Sequence, residues 1–455
     1  MADTIAAIAT ALRPSAIGIV RVSGPDTCVA VDRAFRAASA QDAAHRRCRM
    51  ASYGSMLDPE GRVIDDGLCI LFPEGGSYTG ELSAELYCHG SPVVLEQVLE
   101  SLLAGGARQA AGGEFTKRAF LSGRMDLIQA EAVADLIDAE TAEEARNAAG
   151  QLGGTISRQI QQVYDGLMEV LSRFYAAVDY PDEEIEAPER QTMAQTLENS
   201  EQTLERILST FRRGRILKQG IPSVLLGRPN AGKSSLLNAL LGYDRAIVTD
   251  VPGTTRDTVE EKFMVGKLLL RLCDTAGIRQ TADAVERIGV DRARNAAAGA
   301  ELALLVLDGS RPVTEEDRQA AELAKACPRA VAVVNKNDLP QQPEAMALAE
   351  TFPVRVSLSA RTGEGMDELC WAIGSLYPET EPASGQLLTN PRQAEAVRRA
   401  LEAVKRAKAA MENGLTDDVI LTDGEEALSA LGELNGKNIR EDLVATIFSR
   451  FCVGK

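Results

Sequence analysis

Histidine is almost missing from this 455-residue chain, with His45 and His89 the only two. The eight cysteines (Cys28, Cys48, Cys69, Cys88, Cys273, Cys327, Cys370 and Cys452) are scattered, and none forms a Cys-x-x-Cys pair. Too few soft ligands lie near one another for a zinc cluster. Aromatic residues make up 4% of the chain, too few for a broad base-stacking surface. Positive charge is in deficit: 49 Lys and Arg against 66 Asp and Glu leave a net −17. Bulk electrostatic binding of nucleic acid or anionic membrane is excluded, so a polyanionic partner must be met locally. No apolar run approaches a membrane span, and Asp3 stands where a signal peptide needs positive charge. The expectation is a reduced, cytoplasmic protein with no membrane association.

What is present is globular: 45% hydrophobic and 25% charged residues, on a length that suggests about three domains. Residues 1–120 alternate short apolar runs (Ala16–Val22, Gly67–Phe72, Glu85–Cys88) with Gly, Pro and Asp turns, and a helical period covers Val93–Leu103. That pattern predicts a small α+β domain. Residues 121–215 are Ala-, Glu- and Leu-rich at helical spacing, with Gly153-Gly154 the only clear interruption before Pro181, and they carry −9 of the net charge. From 216 to 380, buried runs at Ile221–Leu226, Leu268–Cys273, Leu302–Leu307, Ala330–Val334 and Val354–Leu358 alternate with helical stretches, which predicts a parallel sheet. Helical spacing returns over 381–455. These helices would form a thin core alone, so they are expected to join 121–215, with the α/β unit inserted between. The predicted class is multidomain α/β, with an N-terminal α+β domain, a discontinuous all-α domain and an inserted P-loop domain on a mostly parallel sheet.

Gly227-Arg-Pro-Asn-Ala-Gly232-Lys233-Ser234 follows an apolar strand and opens a helix, the setting a P-loop requires. Its glycines allow backbone N–H groups to wrap phosphates, Lys233 reaches the β- and γ-phosphates, and the Ser234 hydroxyl ligates Mg²⁺. Asn230, Ala231 and Ser235 complete this part of the predicted nucleotide site. Asp274-Thr275-Ala276-Gly277 closes the strand Leu268–Cys273, where an acid holds Mg²⁺ through water and a glycine N–H senses the γ-phosphate. Asn335-Lys336-Asn337-Asp338 supplies in Asp338 an acceptor for guanine N1 and N2, and Ser359-Ala360-Arg361 supplies backbone N–H for guanine O6. All occur in order, each after a strand, which points to GTP rather than ATP. Thr249-Asp250-Val251-Pro252-Gly253-Thr254-Thr255 lies between the first two motifs, placed as a switch that completes the Mg²⁺ shell only beside a γ-phosphate. Ile278 stands where many regulatory GTPases carry the water-orienting Gln, so hydrolysis needs another arrangement, for which Glu286 is the candidate acid.

Over essentially its full length the chain resembles the MnmE (TrmE) family of tRNA-modification GTPases. The residues that carry the resemblance are the stretch from Gly227, Thr249–Asp257, Asp274–Arg279 with Val285–Gly289, Ser77–Glu81, and Phe451-Cys452-Val453-Gly454-Lys455. The resemblance implies a homodimer formed through a folate-binding N-terminal domain. It implies a partner, the MnmG (GidA) flavoprotein, which alone carries FAD and joins in a heterotetramer or larger complex. Together they place a carboxymethylaminomethyl-type group on C5 of the wobble uridine of certain tRNAs, using 5-formyl- or 5,10-methylene-tetrahydrofolate.

GTP hydrolysis in the family depends on K⁺ and on association of G domains. Carried over, Asn230, Thr249, Val251 and Thr254 surround K⁺, Ser234 and Thr255 bind Mg²⁺, and Glu286 positions the attacking water through a bridging water. Arg21, Glu85, Arg124 and Lys455 match the folate positions, with Arg124 in place of the family's usual lysine. Cys452 is read either as a thiol beside the one-carbon unit or as a small buried residue. A ribosome-assembly GTPase switch is the alternative; against it stand the single P-loop and the absence of a KH-type GxxG module after the G domain. The acidity predicts weak tRNA holding, through small basic groups (Arg46, Arg47 and Arg49, or Arg398, Arg399, Lys405 and Arg406) or mostly through the partner.

Overall fold

The computed structural model describes residues 3–179, 189–243, 261–266, 268–272, 294–377 and 385–437, together with Ile447, Phe448, Phe451 and Gly454. The chain forms two compact units, one of Met1–Ala134, Gln151–Glu205 and Glu395–Lys455, the other of Asp135–Gly150 and Arg206–Ala394.

In the first unit seven strands, β1 (Ile5–Ile8), β2 (Ser15–Ser23), β3 (Phe35–Ala37), β4 (Ala51–Leu57), β5 (Val63–Phe72), β6 (Ser83–Gly90) and β7 (Arg108–Gln109), form a sheet of order β3-β4-β5-β6-β2-β1-β7. Only β1 and β7 pair in parallel. The helices Thr27–Ala34 and Pro92–Ala104 share a core with one face of it, where Val20, Val22, Ala84, Leu86 and Cys88 meet Leu95, Val98 and Leu102. Strand alternation then turns Arg21, Glu85 and Tyr87 to the other face. Arg21 lies directly across from Glu85 in the β2–β6 register.

The other described residues of this unit are mainly helical. Helix Asp417–Asn435 packs along Thr155–Asp179, where Gly424 permits the approach: a Cβ there would stand 3.0 Å from a Leu171 methyl. The bundle encloses a cavity of about 20 Å³ lined by Leu167, Met193, Leu197 and Ile420, apolar and too small for a ligand. Phe448 is buried with Leu127 and Ala130 and has Phe120 and Phe451 beside it, at ring separations of 6.2 and 5.3 Å.

The second unit has a six-stranded sheet of order β13-β12-β11-β8-β10-β9, built from β8 (Ile221–Leu226), β9 (Glu261–Val265), β10 (Leu268–Leu272), β11 (Leu302–Asp308), β12 (Arg329–Asn335) and β13 (Arg355–Leu358). All neighbours are parallel except β9 and β10. Every residue of β11 is buried, as expected of a central strand covered on both faces. The polar residues of interest follow the carboxyl ends of β8, β11, β12 and β13, the edge where open parallel sheets bind ligands. Residues 135–150 belong to this unit through bonds rather than sequence neighbours: Lys218 Nζ donates to Asp135 (2.6 Å), and Asn147 exchanges bonds with the backbone of Leu387 (3.1 and 3.2 Å).

Helix existence follows the apolar periods, but one break was not foreseen. Besides Gly153-Gly154, the chain leaves helix between Asp138 and Ala142. Thr141 Oγ1 accepts the Glu144 N–H (3.1 Å) and Glu144 accepts the Glu140 N–H (2.8 Å), a reciprocal cap in a Thr-x-x-Glu sequence that starts a new helix.

Candidate nucleotide site

Strand β8 ends in Leu226, and the chain turns through Gly227 into the helix Lys233–Tyr243. Gly227 (φ 143°) lies so close to β11 that a Cβ would stand 2.3 Å from the Val306 carbonyl oxygen. Gly232 (φ 102°) is tighter, with its missing Cβ 2.0 Å from Asn335 Nδ2. These two positions require glycine, and they leave the backbone of Asn230–Gly232 to form the cradle ahead of the helix N-terminus.

Neighbouring strands hold the cradle. Asn335 Nδ2 donates to Ala231 O (3.0 Å), while its Oδ1 accepts the N–H groups of Lys336 (2.8 Å) and Ala360 (3.0 Å). One buried amide therefore ties the P-loop, the end of β12 and the Ser359–Arg361 segment together. Lys336 Nζ donates to Asn230 O (3.1 Å) and to Asp308 (2.7 Å). Asp338 accepts from Ser359 Oγ (2.7 Å) and pairs with Arg361 (3.1 Å), which holds the carboxylate against the Ser359–Arg361 turn. The carbonyl oxygen of the Asn337 side chain is buried with no partner among the described residues.

Lys233 Nζ donates to the carbonyls of Gly227 (2.5 Å) and Arg228 (2.8 Å). Burial pulls its pKa below the usual lysine value, against the attraction of Asp317 and Glu316. Among the described residues its hydrogen bonds go to these two neutral carbonyls, and a desolvated ammonium so held gains from an anion that replaces them. Ser234 and Ser235 are exposed on the first turn of the helix.

The structure thus brings together Asn230, Ala231, Gly232, Lys233, Ser234, Ser235, Asn335, Lys336, Asn337, Asp338, Ser359, Ala360 and Arg361. Thr249, Asp250, Val251, Pro252, Gly253, Thr254, Thr255, Asp274, Thr275, Ala276, Gly277 and Glu286 lie outside the described residues, as do Cys452 and Lys455.

A second polar cluster lies on the outward face of the first sheet. Arg21 makes two bonds to Glu85 Oε1 (3.0 and 2.8 Å), and Tyr87 donates to Glu85 Oε2 (2.6 Å). Burial and then the adjacent Glu85 push the Tyr87 phenol up to about 12. The Arg21 guanidinium stands over the Tyr78 and Phe115 rings (5.4 and 5.7 Å) and donates to Gly454 O (3.4 Å), across 433 residues of sequence. Arg124 is exposed and donates to Gly75 O (3.1 Å) rather than to Glu85. Tyr87, Tyr78 and Phe115 were missed from sequence. Tyr87 was recoverable, since it shares a sheet face with Glu85 two residues away; Tyr78 and Phe115 reach Arg21 only through the fold.

Within Ser77–Glu81 the side chains serve the loop itself. Ser23 donates to Glu81 (2.7 Å), Ser77 to Glu81 O (2.5 Å) and Ser122 to Thr79 O (2.6 Å). The basic groups expected to meet tRNA are largely neutralised. Arg46 is buried against Asp32 (3.1 Å) and Phe35, Arg399 pairs with Glu433 (2.6 Å), Lys405 with Glu205 (2.5 Å), Arg406 with Asp423 (2.8 Å), and Arg398 with Glu395.

A P-loop at the end of a parallel strand, braced by an Asn-Lys-Asn-Asp run and a Ser-Ala-Arg turn on the neighbouring strands, defines a P-loop GTPase domain. Family models agree on the remainder: residues 4–124 match the N-terminus of the GTP-binding protein TrmE, and residues 127–452 match the MnmE helical domain. The chain is 44% identical to the tRNA modification GTPase MnmE of Symbiobacterium thermophilum, over all of this chain and 99% of that one. It is 44% identical to the protein so named in Chloroflexus aurantiacus, over the whole of both, and 42% identical to that of a Roseiflexus species, over all of this chain and 99% of the other. The chain belongs to the MnmE (TrmE) family.

Proposed function

We propose that this protein is a K⁺-dependent GTPase that acts with an FAD-carrying MnmG (GidA) partner and a one-carbon tetrahydrofolate. Together they add a carboxymethylaminomethyl-type group to C5 of the wobble uridine of certain tRNAs. The observation that carries the GTPase part is the convergence on Asn335, which joins the phosphate cradle to the guanine-reading turn.

Asp338, already oriented by Ser359, accepts from guanine N1 and N2, and the Ala360 N–H, held toward the site by Asn335 Oδ1, is shared with or turned to O6. Lys233 leaves its two carbonyls for the phosphates, and the Ser234 hydroxyl supplies a Mg²⁺ ligand, with Thr255 as its partner. Asn230 fits the K⁺ reading: it is exposed at φ 60° and its carbonyl is taken by Lys336, so its side-chain amide is the group left to ligate a cation. K⁺ supplies charge neutralisation where other GTPases use an arginine finger. Thr249, Val251 and Thr254 complete that set, and Glu286 positions the attacking water.

The folate reading is supported by Arg21 and Glu85. A carboxylate is suited to the N–H edge of a pterin, cations such as Lys455 and Arg124 to the glutamate tail, and Tyr78 and Phe115 bring aromatic surface beside Arg21. Cys452 is kept as a thiol near the one-carbon unit. A homodimer through this domain is supported by the row Tyr53, Leu68, Tyr87 and Ile19, adjacent across β4, β5, β6 and β2 on the outward face, where Tyr53 is 59% exposed. With Arg46, Arg398, Arg399, Lys405 and Arg406 paired to carboxylates, the protein leaves most of the tRNA holding to the partner.

Nucleoside analysis of tRNA from cells lacking the protein is expected to show the wobble uridine without its C5 group. Unchanged modification would overturn the reading.

A further inference from the structure

The nucleotide site leaves one buried charge without a role. Asp308 ends β11 with its side chain 2% exposed. A buried carboxylate is costly unless paired and hydrogen-bonded. Oδ1 of Asp308 accepts the Ser310 N–H (3.0 Å) and hydroxyl (2.6 Å), and Oδ2 accepts Lys336 Nζ (2.7 Å). The β11–β12 register sets Asp308 opposite Asn335, so the acid stands beside the start of the guanine-reading run.

Lys336 passes the contact on, because the same ammonium donates to the carbonyl of Asn230. Both Lys336 (φ 67°) and Asn230 (φ 60°) are non-glycine residues with left-handed backbone. Such conformations persist only where the surroundings over-determine them. Asn230 is the residue before the Ala231-Gly232 amides of the cradle, so whatever fixes its carbonyl fixes the entry to the phosphate site. Lys336 is 29% exposed and its long stem has other rotamers available; the buried Asp308 selects the one that reaches Asn230.

We propose that Asp308 is a positioning residue of the nucleotide site, holding the P-loop in its nucleotide-receiving shape through the Lys336 ammonium without touching the nucleotide itself. The inference rests on the GTPase reading. Because the contact exists before any chemistry, its loss weakens nucleotide binding more than it slows hydrolysis of bound GTP.

The test uses the full chain and a fluorescent GDP analogue, with wild type, Asp308→Asn, Lys336→Met and the double variant. Asp308→Asn is expected to weaken GDP binding roughly tenfold, the scale of coupling between groups in contact. Its KM for GTP should rise by more than kcat falls. Lys336→Met should weaken binding at least as much, and adding Asp308→Asn to it should change nothing further. Ser310→Ala, which removes the hydroxyl bond to the same carboxylate while its backbone N–H bond and Arg311 (3.9 Å) remain, should move the Kd less than twofold. A wild-type Kd for Asp308→Asn overturns the proposal. So does an effect that persists in full on the Lys336→Met background, since Asp308 would then act through the Ser310 turn. Asp308→Ser serves in the same cycle if Asp308→Asn does not fold. Failure of the wild type to bind the GDP analogue overturns the GTPase reading instead.

Discussion

Replacing Gly232 by alanine tests the nucleotide site at its tightest point. Two costs add. The backbone at φ 102° is a conformation that L-residues pay about 1–2 kcal/mol to adopt. The new methyl would stand 2.0 Å from Asn335 Nδ2, a buried amide with no room to retreat while it holds Ala231 O. Breaking that bond costs about 1–3 kcal/mol, because the amide donor is left buried and unmatched. The sum, about 3 kcal/mol, corresponds to roughly a hundredfold loss of nucleotide affinity if the loop yields rather than the fold. A fluorescent-GDP titration measures it, with thermal melting as the check on folding. Gly242→Ala is the control: it lies in the helix Lys233–Tyr243 with no atom of the described residues within 4 Å of its missing Cβ, so it should keep wild-type affinity and gain up to about 1 kcal/mol of stability. An Asp308-independent result is sufficient here: a Kd for Gly232→Ala within threefold of wild type would refute the argument that the cradle and Asn335 are one packed unit.

Three further outcomes follow from the structure and the proposed function. Burial pushes the Glu144 carboxyl up to about 7 from an ordinary 4.5, so between those values the folded state keeps a proton that the unfolded chain releases. Stability therefore falls as pH rises through that window and levels off above it, and Glu144→Gln should flatten the slope and melt higher than wild type at pH 8. Phe448→Ala removes a ring that is 2% exposed, at a cost of about 3–5 kcal/mol if the helices stay in place, and should increase hydrogen exchange around Phe120 and Leu127; unchanged exchange there would show that Phe448 does not anchor the chain's last segment. GTP turnover should be several-fold faster in K⁺ than in Na⁺, and equal rates would remove Asn230 from the cation role.

Sequence alone determined the chemistry that is contiguous along the chain. The P-loop, the Asn335–Asp338 run and the Ser359–Arg361 turn each follow a strand, and such motifs are legible because phosphate and base recognition rely on backbone and side chains a few residues apart. Alternation in β6 places Tyr87 on the face of Glu85, a signal present in the sequence that was not used. Strands β1, β3, β4, β7 and β9 escaped: β1 because a short, fully apolar run has no distinguishing period, β3 and β7 because three and two residues carry no period at all, and β4 because its first five residues hold Ser and Gly where an apolar alternation would show. Tertiary structure decided what meets across long separations: Arg21 with Gly454, Asn147 with Leu387, Asp308 with Lys336 and Asn230. Each of those partners is an ordinary charge or amide in its own segment. Where the groups are buried, as for Asn147 and Asp308, the cost of an unpaired polar group turned the pairing into a requirement of the fold.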